Sequence, residues 1–179
     1  MSNLPNNKQQ LLPLVKAAAK FGDFTLASGK KSDFYFDGRL VSCSAKGSKL
    51  MAEIILEMIQ GLSAISVGGL TMGADPIAAA VAAISASTAN PIDCFIVRKE
   101  AKAHGTGQQV EGICPAGAKV VIVDDVITTA GSTLKAIEAV EKLGCKVVKV
   151  ISLIDREEGG AEALAKYDFE AIFKKSDLL

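Results

Sequence analysis

The sequence has 179 residues and a mass of 18.6 kDa, a length that fits one compact domain and leaves little room for two. At 49% hydrophobic and 22% charged residues it can bury a sizeable core, which excludes disorder as a description of the whole chain. Twenty Lys and Arg balance twenty Asp and Glu, so no net field draws the molecule to nucleic acid or an anionic membrane, and any anion site must be local.

Residues 1–10 are polar and rich in Asn and Gln, with no basic stretch followed by an apolar one, which predicts no secretory signal and a cytoplasmic protein. The longest purely apolar run, 77–84, is far short of the roughly 20 residues that cross a bilayer. In 34–36 the aromatics alternate as Phe34-Tyr35-Phe36, the pattern of a strand with one buried face. Leu50, Met51, Ile54, Ile55 and Met58 recur at helical spacing, predicting a helix over 44–60 closed by Gly61. A short strand over 64–67, an Ala-rich helix over 75–86 and a strand over 94–97 follow, and then a continuously apolar strand over 120–123. Leu134, Ile137, Val140 and Leu143 share one face of a helix over 132–143, with Ser132 or Gly131 opening it and Gly144 closing it. A strand over 147–154, a helix over 161–167 and a weak strand over 170–173 complete the chain.

This alternation predicts an α/β domain with a mostly parallel central sheet flanked by helices, because each parallel connection needs a crossover. Ligands should gather at the carboxyl ends of its strands. With no Trp and only 5% aromatic residues, the core must be built from Ala, Val, Ile and Leu. Cys43, Cys94, Cys114 and Cys145 stand at least 20 positions apart, which fits neither a zinc knuckle nor a redox CxxC and predicts free thiols.

The most informative stretch begins at Val120 and runs through Asp124, Asp125, Val126, Ile127, Thr128, Thr129, Ala130, Gly131 and Ser132 to Thr133. Two adjacent acids at a strand end are costly to desolvate unless something pairs with them, and sugar hydroxyls are suitable donors. Thr128, Thr129, Gly131 and Ser132 add hydroxyls and unobstructed backbone N–H groups at a helix N-terminus, where the dipole favours phosphate. Neither feature alone would say more than a surface turn and a helix cap; their contiguity points to ribose beside phosphate. Neither GxxxxGK[ST] nor GxGxxG is present, which removes the usual sequence support for nucleoside triphosphate or NAD. A second polar segment follows the 94–97 strand: Arg98, Lys99, Lys102 and His104 lie in a Gly-containing stretch leading to Gly112, read as a loop that concentrates cations in a neutral molecule. Pyrophosphate suits it.

The 120–133 stretch resembles the phosphoribosyl-diphosphate (PRPP) motif of type I phosphoribosyltransferases. The pattern RKExKxHG at 98–105 resembles the loop of the orotate phosphoribosyltransferases in particular, 24–39 is similar to that family's hood segment, and 68–76 to its next binding turn. The resemblance covers nearly the whole chain. It implies the type I phosphoribosyltransferase fold in a single domain over 1–179, with a small N-terminal hood over about 1–40 packed on the core. It also implies transfer of the phosphoribosyl group of PRPP to orotate, giving orotidine 5′-monophosphate and pyrophosphate in pyrimidine biosynthesis.

Carried over residue by residue, the resemblance makes Asp124 and Asp125 the ribose ligands and the segment from Val126 to Ser132 the rest of the PRPP site, with 128–132 cradling the 5′-phosphate. Thr128 would also approach orotate. Arg98, Lys99, Lys102 and His104 would engage the diphosphate, Lys102 and His104 as catalytic groups, with part of the loop reaching a partner subunit's site in a homodimer. Arg156 would meet the orotate carboxylate, the alternative for it being an ion pair with Glu157 or Glu158. Mg²⁺ is implied on diphosphate and ribose oxygens, with no protein residue required as its ligand. Many family members carry Lys after the hood Leu and Tyr-Lys before the second-turn Gly, where this chain has Ala27 and Thr71-Met72. A phosphoribosyltransferase for another base and a PRPP-sensing nucleic-acid-binding regulator are the alternative readings. The RKExKxHG loop and Arg156 argue against the first and the neutral charge against the second.

Overall fold

The computed structural model describes residues 3–25, 31–100 and 108–179. Helix α1 (Leu4–Ala18) leads into an antiparallel hairpin, β1 (Ala19–Thr25) and β2 (Lys31–Phe36). Helices α2 (Arg39–Ser42) and α3 (Ala45–Met58) follow, then β3 (Ser66–Leu70), α4 (Asp75–Ser85), β4 (Asp93–Val97), β5 (Val110–Gly112), β6 (Lys119–Ile127), α5 (Gly131–Glu141), β7 (Lys146–Asp155), α6 (Gly160–Ala163), β8 (Phe169–Lys174) and a closing 3₁₀ turn (Lys175–Leu178). The main sheet has the order β5-β4-β3-β6-β7-β8 and is parallel except for the β4–β5 pair. The expected α/β architecture is present, with the strands that carry the site at the sheet's centre.

Each face of the sheet has its own apolar cluster. Val121, Val123, Ile151 and Leu153 point to the side covered by Leu50, Met51, Ile54, Ile77 and Val81 of α3 and α4. Val120, Ile122 and Val150 point to the opposite side, against Ala136, Ile137 and Val140 of α5. Strands buried on both faces need continuous apolar sequence, which is why β6 was visible as an unbroken run. Helix α3 starts where a cap was expected: the Ser44 hydroxyl accepts the Gly47 N–H at 3.0 Å.

Several elements depart from the sequence-based expectations. Strand β6 runs through both acids to Ile127, because β7 continues alongside it and pairs Asp124 with Ser152 and Ile127 with Asp155. The acids therefore lie within the last four residues of the strand and not just beyond it. The helix expected over 161–167 shrinks to one turn, Gly160–Ala163, after which Ala165 N–H bonds Glu162 O and Tyr167 N–H bonds Leu164 O in tighter turns. The segment leading to Gly112, expected to be loop, contains β5, a three-residue edge strand too short to show a period. Helix α1 was hidden by polar composition, yet its buried Asn7, Leu11, Val15 and Ala18 recur every three or four residues.

The hairpin joins this core through one face. Phe34 is fully buried and Phe36 nearly so, in the same cluster as Leu11, Val15, Ile172 and Phe173, while Tyr35 between them faces outward. Among the described residues no helix is long and apolar enough to cross a membrane. The alternation makes an asymmetric prediction. Phe34→Ala should lower unfolding free energy in urea by about 3–5 kcal/mol, the usual cost of emptying a buried Phe site, and Tyr35→Ala by less than about 1 kcal/mol. Equal losses would contradict the one-sided burial.

Candidate active site at the carboxyl edge of the sheet

The two acids of β6 point to opposite sides of the sheet and are held differently. Asp124 is buried, and its carboxylate accepts the Thr133 hydroxyl from the first turn of α5 and the backbone N–H of Asp125, each at 3.0 Å. Asp125 is pressed between two glycines. A methyl group on Gly38 would lie 2.7 Å from its Cβ and Oδ2, and one on Gly73 would lie 2.5 Å from its Oδ1. The turn before α2 and the turn before α4 thus approach the carboxylate as bare backbone, which only glycine permits. Burial, and next the neighbouring Asp125 charge, push the Asp124 carboxyl up to about 7; burial also raises Asp125. The nearby Arg39 guanidinium, itself paired with Asp37 at 3.1 Å, counteracts part of that rise at Asp125.

Beyond Ile127 the chain turns into α5 with an open N-terminus. Ala130, expected in the phosphate-binding loop, occupies the N-cap with φ 62° and ψ 11°, and makes no side-chain cap hydrogen bond. Neither Ser132 nor Gly131 serves as the cap; both are exposed in the first turn. Among the described residues the N–H groups of that turn meet no side-chain acceptor. A methyl added to Gly131 would find its nearest neighbour, the Thr129 hydroxyl, 4.0 Å away. An uncapped first turn with space above it and the positive end of the helix dipole is an anion cradle. The loop is buttressed from below by Gly160, where a Cβ would come within 2.3 Å of Ile127 Cγ2 and 2.9 Å of Thr128 O. Val126 and Ile127 themselves serve the strand: both lie in the β6–β7 ladder, and Ile127 O accepts the Arg156 N–H at 2.9 Å.

Arg156 follows β7 directly and is buried. Its Nη2 donates to Ser32 Oγ at 2.8 Å and to Phe34 O at 3.2 Å, and lies 2.8 Å from Glu158 Oε1. The guanidinium sits 5.6 Å from the Phe34 ring centroid. Of the two ion pairs weighed as the alternative for Arg156, the one with Glu158 is present and joins a buried guanidinium to an exposed carboxylate. Its Nε is buried with no hydrogen-bond partner among the described residues, an unspent donor at the strand's carboxyl edge.

The cationic segment begins on the sheet's antiparallel edge. Arg98 is bound back to Gln109 through backbone and side chain, and its guanidinium pairs with Glu111 at 3.0 Å; Lys99 is exposed. Thr71 N–H bonds Val97 O at 2.8 Å, so the turn before α4 and the start of this segment are adjacent. Lys102 and His104 lie outside the described residues, as does Ala27; Met72 is exposed beside a cis Thr71–Met72 peptide bond. Sequence reasoning brought together Asp124, Asp125, the 128–132 loop and Arg156. It gave Thr133, Ser32, Gly38 and Gly73 no individual role within the segments that carry the resemblance, and left Gly160 aside. The glycines carried a signal, since each stands at a turn next to a site segment, whereas Thr133 and Ser32 carried none.

The phosphoribosyl transferase domain family matches residues 43–174. The chain is 44% identical over 172 residues to the orotate phosphoribosyltransferase of Rhodopirellula baltica, covering 90% of this chain and 89% of that one. It is 39% identical over 178 residues to that of Aquifex aeolicus, covering 96% and 97%. Among solved structures, Mycobacterium tuberculosis orotate phosphoribosyltransferase in complex with Fe(III) dicitrate superposes with a TM-score of 0.83 at 36% identity, covering 96% of this chain and 98% of that one. The same enzyme in complex with PRPP gives 0.80 at 33% identity, with the same coverage. Similarity of this extent reaches from the hood to β8 and includes the strand, loop and helix just described, and on it the chain belongs to the orotate phosphoribosyltransferases.

Proposed function

We propose that the protein transfers the phosphoribosyl group of PRPP to N1 of orotate, releasing pyrophosphate and forming orotidine 5′-monophosphate. The observation that carries this reading is the juxtaposition on one strand end of a buried acid pair and an uncapped helix N-terminus. The carboxylates of Asp124 and Asp125 accept hydrogen bonds from the ribose hydroxyls. The N–H groups opening α5, with the hydroxyls of Thr128, Thr129 and Ser132, take the 5′-phosphate. Arg156 receives the orotate carboxylate, its partnerless Nε supplying the donor that Glu158 and the hood leave unused, and Thr128 approaches the pyrimidine.

Breaking the bond at C1 of the ribose passes through an oxocarbenium-like state. No protein nucleophile is needed; alignment of the base and stabilisation of the departing negative charge are. Arg98, Lys99, Lys102 and His104 supply that stabilisation, with part of their loop serving the partner subunit in a homodimer. A hard cation carried on substrate oxygens would need no cluster of protein ligands. When bound with PRPP, Mg²⁺ neutralises diphosphate charge. Residues 1–179 act as one catalytic unit with the hood of about 1–40 over the core, in the cytoplasm, without nucleic acid or membrane as partner. An absorbance assay of orotate loss with PRPP and Mg²⁺, run beside adenine, hypoxanthine and uracil, tests the reading: only orotate should be consumed.

Arg156→Lys keeps the charge and loses the planar fork. It should raise KM for orotate about ten- to a hundredfold, the equivalent of roughly 1.5–3 kcal/mol for a charge-assisted pair, and leave PRPP affinity within about twofold. An unchanged KM would remove Arg156 from the orotate site.

The raised Asp124 pKa gives the site a pH signature. Ribose hydroxyls donate to the ionised carboxylate, which the free protein acquires only as pH rises through about 7, so PRPP should bind more tightly at pH 8 than at pH 6, with net proton release. Folding runs the other way. The folded state holds a proton that an unfolded Asp, at its ordinary value of 3.8, gives up, so this stability is full below that value and is lost as pH rises through about 7. Asp124→Asn should abolish the pH trend, weaken PRPP at least about tenfold, and melt above the parent at pH 8. Calorimetric titration in two buffers of different ionisation heat and thermal melts at both pH values check this. A PRPP affinity whose pH dependence survives in Asp124→Asn would exclude Asp124 as the titrating group.

A further inference from the structure

Away from the acid pair, at the opposite end of β6, the fold brings two cysteines together. The Cys114 and Cys145 sulfurs are 3.7 Å apart without a bond, although 31 positions separate them in sequence. Their backbones are clamped from both directions. Gly117 N–H bonds Leu143 O at 3.2 Å, Lys146 N–H bonds Ala118 O at 2.8 Å, and Cys145 Sγ donates to Pro115 O at 3.3 Å. Cys145 N–H bonds Val140 O at 3.2 Å, with Gly144 at φ 74°, so the cysteine is fixed by the end of α5 itself. On the other side, Ile113 N–H bonds Cys94 O at 2.9 Å and Ile113 O accepts the Ser66 hydroxyl at 2.6 Å, fixing the residue before Cys114.

Two sulfurs on backbones held this firmly need a side-chain rotation and a small shift to close from 3.7 Å to the bonding distance of about 2.05 Å. We propose that Cys114 and Cys145 form a redox-modifiable dithiol, which a low-molecular-weight disulfide oxidises to an intrachain disulfide.

The step balances through two exchanges. Cys114, half-buried and the more accessible of the two, attacks one sulfur of the oxidant as the thiolate. It forms a mixed disulfide and releases one reduced thiol. Cys145, as the thiolate, then attacks Cys114 Sγ, forms the Sγ–Sγ bond and displaces the second thiol; two electrons and two protons pass from the protein to the oxidant. An open groove of about 610 Å³ lined by Gln108, Gln109, Val110, Gly112, Cys114 and Lys142 gives the oxidant an approach to the outer sulfur. Burial, and the neighbouring Cys145 thiol, push the Cys114 thiol up to about 12, so attack is slow at neutral pH and accelerates in alkali. The bond would join the exit of β5, the strand that brings the cationic segment back into the sheet, to the turn between α5 and β7. It would also restrict the unfolded chain by closing a long loop.

Reduced full-length protein treated with glutathione disulfide at pH 8.5 and mapped by mass spectrometry decides the matter, with exposed Cys43 as the internal measure of oxidant activity. The expected product is a Cys114–Cys145 link lighter by two hydrogens, a raised urea midpoint, and an acceleration of linkage between pH 7 and pH 9. Phenylarsine oxide should bind the reduced protein and fail to bind Cys145→Ser, in which the glutathione adduct on Cys114 should persist. A persistent glutathione adduct on Cys114 in the parent chain, or both thiols still open to alkylation once Cys43 is fully modified, would overturn the proposal. So would a linked form whose urea midpoint equals that of the reduced protein.

Discussion

Two carboxylates side by side on a buried strand are the constraint to which the rest of this site answers. Desolvation and mutual repulsion both oppose their ionisation, and Asp124 responds with a carboxyl raised to about 7. The pleat sends Asp124 towards α5 and Thr133 and Asp125 towards Gly38, while the turn at Gly73 lies against both carboxylates. Backbone brought so near an acid has no room for a Cβ, and the glycines of two unrelated turns are the consequence. The proposed hydroxyl-bearing ligand would relieve what the protein alone leaves incomplete, trading stability in the empty state for affinity in the occupied one.

The same edge of the sheet ties the hood to the core. Arg156 emerges from β7 beside the end of β6, yet two of its hydrogen bonds reach across to β2, at Ser32 and Phe34. A guanidinium can do this because its donors diverge in a plane: one nitrogen is spent on the hood and on Glu158 while Nε stays unpaired at the strand end. Moving the hairpin relative to β7 would therefore disturb the side chain proposed to receive orotate. Positioning of the N-terminal hairpin and the proposed recognition at the carboxyl edge share one residue.

What could be read from the sequence follows a physical rule. Strand β6 and helix α5 were legible because burial on both sides of a strand and on one side of a helix leaves periodic apolar patterns. The 128–132 loop was legible because its small and hydroxylated residues stand next to the acids. Helix α1 was overlooked because its core stripe is sparse, with Asn7 among its buried positions and Pro13 within its length. Strand β5 has three residues and a single buried one, too little for any period. The left-handed Ala130 at the head of α5 was beyond reach for a different reason: alanine does not advertise a positive φ as glycine does. Thr133 and Ser32 are ordinary polar residues whose importance comes only from what the fold sets opposite them.

A neutral molecule that must handle a highly charged diphosphate can either line a fixed pocket with cations or carry them on a segment apart from the core. A fixed cluster of Arg and Lys beside Asp124 and Asp125 would pair with the acids and occupy the acceptors that ribose requires. Here Arg98 and Lys99 leave the sheet at β4, and β5 returns on its outer edge, with β4 and β3 between it and β6. Arg98 is bound to Gln109 and Glu111 at the root of this excursion, not to the acid pair. Separation on the sheet would keep the acids free for the proposed hydroxyl donors, and the turn before α4, bonded to Val97, links the excursion's root to the glycine that flanks Asp125.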